Sequence, residues 1–166
     1  GRLYNWYTVE DERGVCPEGW HVPSNDDFIV LTDYHGGVNI AGGKMKATGT
    51  IEDGDGLWFD PNTGATNEYG FSAIGAGDRQ WFSGLYGGIN DNTTFWSSTG
   101  DGASGYHRRL YAYNTTVNVG SDGAQGGFSV RCLTTIPGCT DPLATNYDPE
   151  SNWDDGSCTY PINGDY

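Results

Sequence analysis

The sequence predicts an α+β head domain over residues 1–135 and a small acidic module over residues 136–166, called the tail below. First, one well-patterned helix lies early in the chain, and many short, glycine-bounded segments with strand character follow it. Second, the 27 glycines, 11 tyrosines and 6 tryptophans are typical of a loop-rich domain packed around aromatic side chains. Third, the apolar pattern stops at Leu133, and Pro137-Gly138 supplies a turn before the composition changes.

The first elements follow from local patterns. GRLYNWYTV alternates apolar and polar residues and is interpreted as a strand. Ser24 begins the clearest helix, because Asp27 follows at capping-box spacing and Phe28, Leu31 and Tyr34 follow at helical spacing. Gly36-Gly37 ends that helix. Residues 40–46 are predicted to form a shorter helix, although two consecutive glycines weaken this prediction.

The second half of the head is predicted to be a set of short antiparallel strands. The segments are GFSAIG, DRQWFSG, TFWSST, GYHRRLYAY, TTVNVG and GGFSVRCL. Each is short and bounded by glycine or other turn-forming residues. The last of them carries a cysteine that can reach back to the start of the chain, so the two ends of the head are expected to meet.

The four cysteines are predicted to form two disulfides. Cys139 and Cys158 enclose the acidic stretch of the tail, and a bridge between them would remove roughly 3 kcal/mol of loop entropy from the unfolded chain. Cys16 and Cys132 would then join the two ends of the head. This pairing implies an oxidising compartment, hence export to the cell surface or the medium. The alternative is four reduced, buried thiols.

The formal net charge of -14 limits the partners. It argues against nucleic acid and against anionic membrane surfaces, and it favours divalent cations. No stretch reaches the roughly 18 apolar residues of a membrane span, so direct membrane insertion is not expected. The chain opens on glycine without a basic and apolar leader, so we expect a processed chain or a piece of a longer one.

The tail is predicted to bind calcium. Asn146, Asp148, Glu150, Asn152 and Asp154 occupy every second position of the enclosed loop, and Asp141 and Asp155 add two carboxylates. Calcium takes six to eight oxygen ligands. The candidate ligands are Asp141, Asn146, Asp148, Asp154 and Asp155. The pattern is not an EF-hand, because Trp153 stands where that loop needs glycine. The alternative is a solvated acidic tail held only by its disulfide.

Six motifs in order carry a family resemblance: GRLYNWYT, CPEGWHVPS, AGGKMK, TNEYGFSA, FWSST and GFSVRC. The head resembles the Fibrobacter succinogenes major paralogous domain, whose members are similar to the C-type lectin-like and formylglycine-generating-enzyme-like fold. The resemblance implies an exported bacterial module with no settled ligand. The tail resembles short CTDPxAxNYDPxxxxDDGSC modules of secreted bacterial proteins, which implies a calcium-stiffened spacer.

The resemblance to lectins directs attention to two possible binding regions. C-type lectins read sugar hydroxyls with a carboxylate-proline-asparagine loop, which Asp60-Pro61-Asn62 matches, but Trp96-Ser97-Ser98 stands where the second half of that site is expected. The other region mixes rigid aromatic side chains with amides, as recognition loops do. Its candidate ligand-binding residues are Trp81, Tyr86, Asn90, Asp91, Asn92, Tyr106, Arg109 and Tyr111, with Tyr113 beside them.

These features predict a non-catalytic extracellular recognition module for adhesion, with a glycan or a surface protein as its partner. The sequence contains no GxSxG, HExxH or phosphate-binding glycine motif, so no enzyme class is favoured. Asp53, Asp55 and Asp60 could hold a cation, but Leu57 stands where a third alternating oxygen would help, so this stretch is interpreted as a polar turn. The alternative function is structural, a building block of a surface appendage or filament that associates with further copies of itself.

Overall fold

The computed structural model describes residues 2–161. In chain order the elements are α1 (Trp6–Glu10), β1 (Trp20–His21), α2 (Asn25–Tyr34), α3 (Ala41–Met45), β2 (Ala76–Arg79), β3 (Tyr86–Ile89), β4 (Asn92–Gly100), β5 (Ser104–Tyr111), β6 (Asn118–Gly123), β7 (Leu133–Thr134), β8 (Pro137–Gly138) and β9 (Trp153–Asp154). The longest helix among the described residues, α2, has 10 residues, so none of these helices could span a membrane.

A five-stranded sheet in the order β3-β2-β4-β5-β6 forms the centre of the head. Its neighbours are antiparallel except for β2 and β4, which run parallel with Gly77 opposite Thr93. β3 and β6 are the edge strands. A small ribbon of β1 and β7 closes the head. The predicted α+β class is therefore confirmed.

The sheet is covered on both faces. Successive side chains of β4 point to opposite faces, so Phe95 and Trp96 belong to different cores. The first core contains Phe28, Ala41, Met45, Trp58, Ala73, Phe95, Leu110, Ala112 and Val117. The second core contains Trp6, Trp96, Ala124 and Phe128. Phe95, Trp96 and Leu110 are all buried.

The predicted helix after Ser24 is present as α2. The Ser24 side chain accepts a hydrogen bond from the Asp27 backbone N–H, and the Asp27 carboxylate accepts one from the Ser24 N–H. This reciprocal pair satisfies two N–H groups that the first turn leaves free. The helix gives way to glycines at Gly36 and Gly37, both with positive φ. The shorter second helix is also confirmed, as α3.

The strand predicted at the start of the chain is wrong for most of its length. Tyr4 is extended and pairs with Phe128, but residues 6–10 form α1. Asn5 caps that helix by accepting a hydrogen bond from the Thr8 N–H. Trp6 is buried, and its indole donates to the Ser97 carbonyl of β4. Tertiary packing of this one tryptophan therefore overrides the alternating pattern.

Three of the six predicted segments do not form strands over their full length. GFSAIG forms no strand, and only Ala73 makes a bridge there, with Lys46. DRQWFSG leaves the strand after Arg79 and turns through Trp81. GGFSVRCL makes isolated bridges rather than a continuous strand before β7. Glycine and small polar residues in these segments favour turns over continuous strands.

Both predicted disulfides are present, Cys16–Cys132 in the head and Cys139–Cys158 in the tail. The tail also contains β8 and β9, a parallel pair of two-residue strands. Asn152 connects it to the end of the head, because its side chain donates to the Thr134 carbonyl at 2.9 Å and accepts from the Ile136 N–H at 2.8 Å. The ring of Trp153 lies 5.1 Å from the ring of His21.

Candidate functional site

A groove of about 360 Å³ lies beside the second core of the head. We call it the aromatic groove. Its walls come from β2, the turn between β2 and β3, strand β3, the start of β4, strands β5 and β6, and the segment before β7. Its lining residues are Asp78, Gln80, Trp81, Phe82, Gly87, Gly88, Asp91, Asn92, Arg109, Asp122 and Phe128.

Arg109 is held in place within this groove by four contacts. Its Nε donates to Thr94 Oγ1 at 2.7 Å. Its Nη2 lies 3.3 Å from the Asp78 carboxylate and 3.4 Å from the Asp122 carboxylate. The guanidinium carbon stands 5.5 Å from the ring centre of Phe128. The groove therefore presents a fixed cation between two carboxylates, which together can donate to and accept from ligand hydroxyls.

His107 extends this polar network beyond the groove lining through Asp122. Its Nε2 lies 3.2 Å from the Asp122 carboxylate. Burial lowers the pKa of His107 to about 4, and the charge of Arg109 acts in the same direction. Burial also raises the pKa of the Asp78 carboxyl. His107 is therefore neutral at neutral pH and can serve as a fixed hydrogen-bonding group beside Asp122.

Asn92 offers a ready hydrogen-bonding group at the wall of the aromatic groove. The residue is 9% exposed, and within residues 2–161 its side-chain oxygen has no hydrogen-bond partner. The Asn92 amide nitrogen packs against Gly88, since a Cβ added at Gly88 would lie 1.9 Å from that nitrogen. A larger residue at position 88 would therefore displace the Asn92 side chain. A buried polar atom without a partner costs roughly 1–3 kcal/mol, and a bound ligand could remove that cost.

Exposed aromatic side chains form the rim. Trp81 and Phe82 line the groove and are 46% and 70% exposed, and Tyr86 on the adjoining strand β3 is 74% exposed. The Trp81 ring lies over Gly123 of β6, because a Cβ added at Gly123 would lie 3.0 Å from the ring. Arg79 stands 6.0 Å from the ring centre of Tyr86. The rim therefore carries flat apolar surfaces next to a charged interior.

The structure brings four of the eight predicted ligand-binding residues together, namely Trp81, Asp91, Asn92 and Arg109. Tyr86 lies on the neighbouring strand β3. The other three are placed elsewhere: Asn90 is a turn residue with φ 65° whose amide donates to the Leu57 carbonyl, Tyr106 is exposed on β5, and Tyr111 packs on Tyr113 with ring centres 5.0 Å apart.

Sequence reasoning missed the two carboxylates that hold Arg109. Asp78 lies three residues before Trp81, the first of the predicted ligand-binding residues, and Asp122 lies in β6, which pairs with β5. Alternation along β6 could have placed Asp122 on the Arg109 face had the register been known. Nothing local connects Asp78 with Arg109, because only the sheet order brings them together.

The Asp60-Pro61-Asn62 loop is used structurally. Asn62 is buried, and its amide donates to the carbonyls of Ala47 at 3.0 Å and Gly49 at 2.9 Å. Close by, the Asp55 carboxylate accepts from the Thr50 N–H and the Asp53 carboxylate from the Thr50 hydroxyl. These contacts are those of a polar turn, as interpreted from the sequence.

The predicted calcium ligands of the tail mostly cap their own loops. Asp141, Asp148, Asp154 and Asp155 each accept a hydrogen bond from the backbone N–H two residues further on. Asn146 accepts from the Thr159 N–H and donates to the Ser157 carbonyl. In the described part of the chain, no three histidine, cysteine, aspartate or glutamate side chains gather where they could hold a metal. A preformed calcium cage is therefore not seen, and calcium binding stays a prediction.

Residues 1–134 match the sequence profile of the Fibrobacter succinogenes major domain. The chain belongs to this family. The family match covers the whole sheet with its helices and grooves, and it ends at residue 134, one residue before the end of the head.

Three plant proteins share short segments with the chain. The chain is 53% identical to ribulose bisphosphate carboxylase/oxygenase activase 1 of Larrea tridentata over 38 residues, 21% of this chain and 8% of the activase. The Spinacia oleracea activase is 64% identical over 30 residues, 18% and 6% of the two chains. The activase of Oryza sativa subsp. japonica is 43% identical over 49 residues, 30% and 10%. The chain spans a tenth or less of these proteins. No solved structure matches it.

Proposed function

We propose that the chain is a non-catalytic extracellular recognition module of a bacterial surface or secreted protein, and that it binds a glycan in the aromatic groove. The observation that carries the proposal is the pairing of a fixed Asp78–Arg109–Asp122 network with an exposed aromatic rim. Two disulfides favour an oxidising compartment and so support export.

The two halves of the groove suit the two faces of a sugar. Sugar hydroxyls need several donors and acceptors at fixed positions, and the carboxylates, guanidinium and Asn92 oxygen supply them. The apolar C–H face of a sugar ring packs on flat aromatic surfaces such as Trp81 and Phe82. The volume of about 360 Å³ lies within the range of small-ligand sites.

We further propose a C-type lectin-like fold for the head, on the strength of the six ordered motifs and the closure of its two ends by Cys16–Cys132. The sugar site would nevertheless differ from that of calcium-dependent lectins, because the Asn62 amide already donates hydrogen bonds to two backbone carbonyls. Glycan binding by the aromatic groove should therefore be independent of calcium.

A glycan array on the purified protein, run with calcium and with chelator, tests this proposal. We expect binding in both buffers. Trp81→Ala should weaken it at least about tenfold, the loss expected for one stacked aromatic contact of about 1.5 kcal/mol. Trp20→Ala is the matched control, since Trp20 is a similarly exposed tryptophan outside the groove. Equal binding by both variants, or no binding by the parent in either buffer, would contradict the proposal.

A structural role is the second candidate function, and one observation favours it. The edge strand β3 has the sequence YGGI and carries no charged side chain, while Leu85, Tyr86 and Ile89 are exposed. Such an edge can pair with another strand. If the chain is a building block, sedimentation at rising concentration should show self-association that Ile89→Lys abolishes. A monomer at every concentration would exclude assembly through β3.

A further inference from the structure

A second groove, of about 310 Å³, lies on the other side of β4 from the aromatic groove. We call it the arginine groove and define it by Arg2, Tyr4, Thr93, Phe95, Ser129 and Arg131. Asn92 faces the aromatic groove and the next residue, Thr93, faces the arginine groove, since consecutive side chains of a strand point to opposite faces. The two grooves are therefore separate sites on one sheet.

Two basic side chains face this groove in a chain that has 8 basic and 22 acidic residues. Arg131 is positioned by its Nη1, which donates to the Phe71 carbonyl at 2.8 Å, and by the Phe71 ring, whose centre lies 4.4 Å from the guanidinium carbon. Among the ion pairs of residues 2–161, none includes Arg2 or Arg131. The groove therefore offers positive charge that no carboxylate of the described chain neutralises.

Thr93 supplies an independent sign of a ligand. It is 1% exposed and lines the groove, yet its Oγ1 finds no hydrogen-bond partner within the described residues. Leaving a buried hydroxyl unpaired is unfavourable, and a bound ligand that pairs with it would remove that cost. Tyr4 and Phe95 add aromatic surface to the walls. The groove thus combines two cations, a free hydroxyl and apolar walls.

We propose that the arginine groove binds a small carboxylate ligand of monosaccharide size, of the uronic acid class. A guanidinium matches a carboxylate through two parallel hydrogen bonds, which a neutral sugar cannot form. Thr93 can pair with a ring hydroxyl, and the aromatic walls can pack against the ring. The proposal goes beyond glycan binding in the aromatic groove and does not depend on it.

Titration of isotope-labelled protein with glucuronate at low ionic strength, followed by NMR chemical shifts, tests the inference. We expect saturable shifts of the amides of residues 93–95 and 129–131. Glucose, which lacks the carboxylate, should cause no such shifts at the same concentrations. Added salt should weaken glucuronate binding, because the arginines are accessible to solvent ions. No saturable shift with glucuronate, or equal binding of glucose, overturns the proposal.

Three variants locate the site. Arg131→Gln should weaken glucuronate binding at least about tenfold, since one charged hydrogen-bonded contact contributes about 1.5 kcal/mol or more. Arg13→Gln changes the net charge equally at a residue paired with Asp11 and should leave binding unchanged. If Arg131→Gln does not fold, Arg2→Gln provides the same test. If Arg13→Gln weakens glucuronate binding as much as Arg131→Gln does, the ligand does not bind in the arginine groove and the proposal is wrong.

Discussion

The head and the tail are stabilised in different ways. In the head, large apolar side chains are fully enclosed, with Trp58 and Trp96 both at 0% exposure. In the described part of the tail, the buried apolar residues are Cys139 and Ala144, whereas Leu143 is 82% exposed. Carboxylate and amide side chains replace the missing core there by hydrogen bonding to backbone N–H groups.

This difference follows from length. A segment of about 30 residues cannot bury enough apolar surface to offset its loss of conformational entropy. A cross-link reduces that loss by restricting the unfolded chain, and side-chain caps satisfy the backbone without a core. The head has enough chain for two cores, so its own disulfide joins ends that packing already brings together.

The largest expected effect comes from the same substitution made in both regions. Trp96→Ala should lower the free energy of unfolding by about 3–5 kcal/mol, because it empties a fully buried site and removes the indole hydrogen bond to the Tyr4 carbonyl. Trp153→Ala in the tail should cost less than about 1 kcal/mol, because Trp153 is half exposed. Urea unfolding measures both. Comparable losses would show that the tail depends on packing as the head does.

A smaller and more localised effect is expected from the tail disulfide. Cys139→Ser combined with Cys158→Ser should remove about 3 kcal/mol of local stability. Amide hydrogen exchange should then show loss of protection over residues 138–158 with the head unchanged.

The head disulfide is the control for that experiment. Cys16→Ser with Cys132→Ser should speed exchange in the head and lower its melting temperature, while tail protection remains. If either pair of substitutions unfolds both regions together, the two are one cooperative unit and the contrast drawn between them fails.

The same contrast explains what could be predicted from the sequence. α2 was predictable because Ser24 and Asp27 form a local capping box. Tail disulfide pairing was predictable because Cys139 and Cys158 enclose a short loop. α1 was missed, because burial of Trp6 against a distant strand decides its conformation. Local chemistry is visible in sequence, and long-range packing is not.

The aromatic groove shows the limit for functional sites. Trp81, Asp91, Asn92 and Arg109 were selected from residue type within one segment, and they line the groove. The two carboxylates that pair with Arg109 come from Asp78 on β2 and Asp122 on β6. Strand order and register determine which carboxylates reach the guanidinium, and neither can be inferred from the spacing of these residues in the sequence.

The smallest expected effect concerns calcium and the tail alone. A hydrogen bond from Tyr160 lowers the pKa of Asp141, and hydrogen bonds from Ser157 lower the pKa of Asp155. Both carboxylates are therefore ionised at neutral pH. The loops place several such charges near one another without a preformed cage, so binding should be weak, with dissociation constants in the range of extracellular calcium modules. Calcium at one to ten times its dissociation constant would then stabilise the tail by about 0.4–1.4 kcal/mol.

The variant that tests this must remove charge without removing the turns. Replacing Asp148, Asp154 and Asp155 with asparagine keeps a side-chain oxygen for each backbone N–H that these residues now accept from, whereas alanine would remove the turns as well. Exchange protection of the tail should rise with calcium in the parent, fall with chelator, and respond to neither in the asparagine variant. Because the head carries none of these groups, its protection serves as the internal reference. A parent tail that is equally protected in both buffers would mean that the disulfide and the caps alone stabilise it.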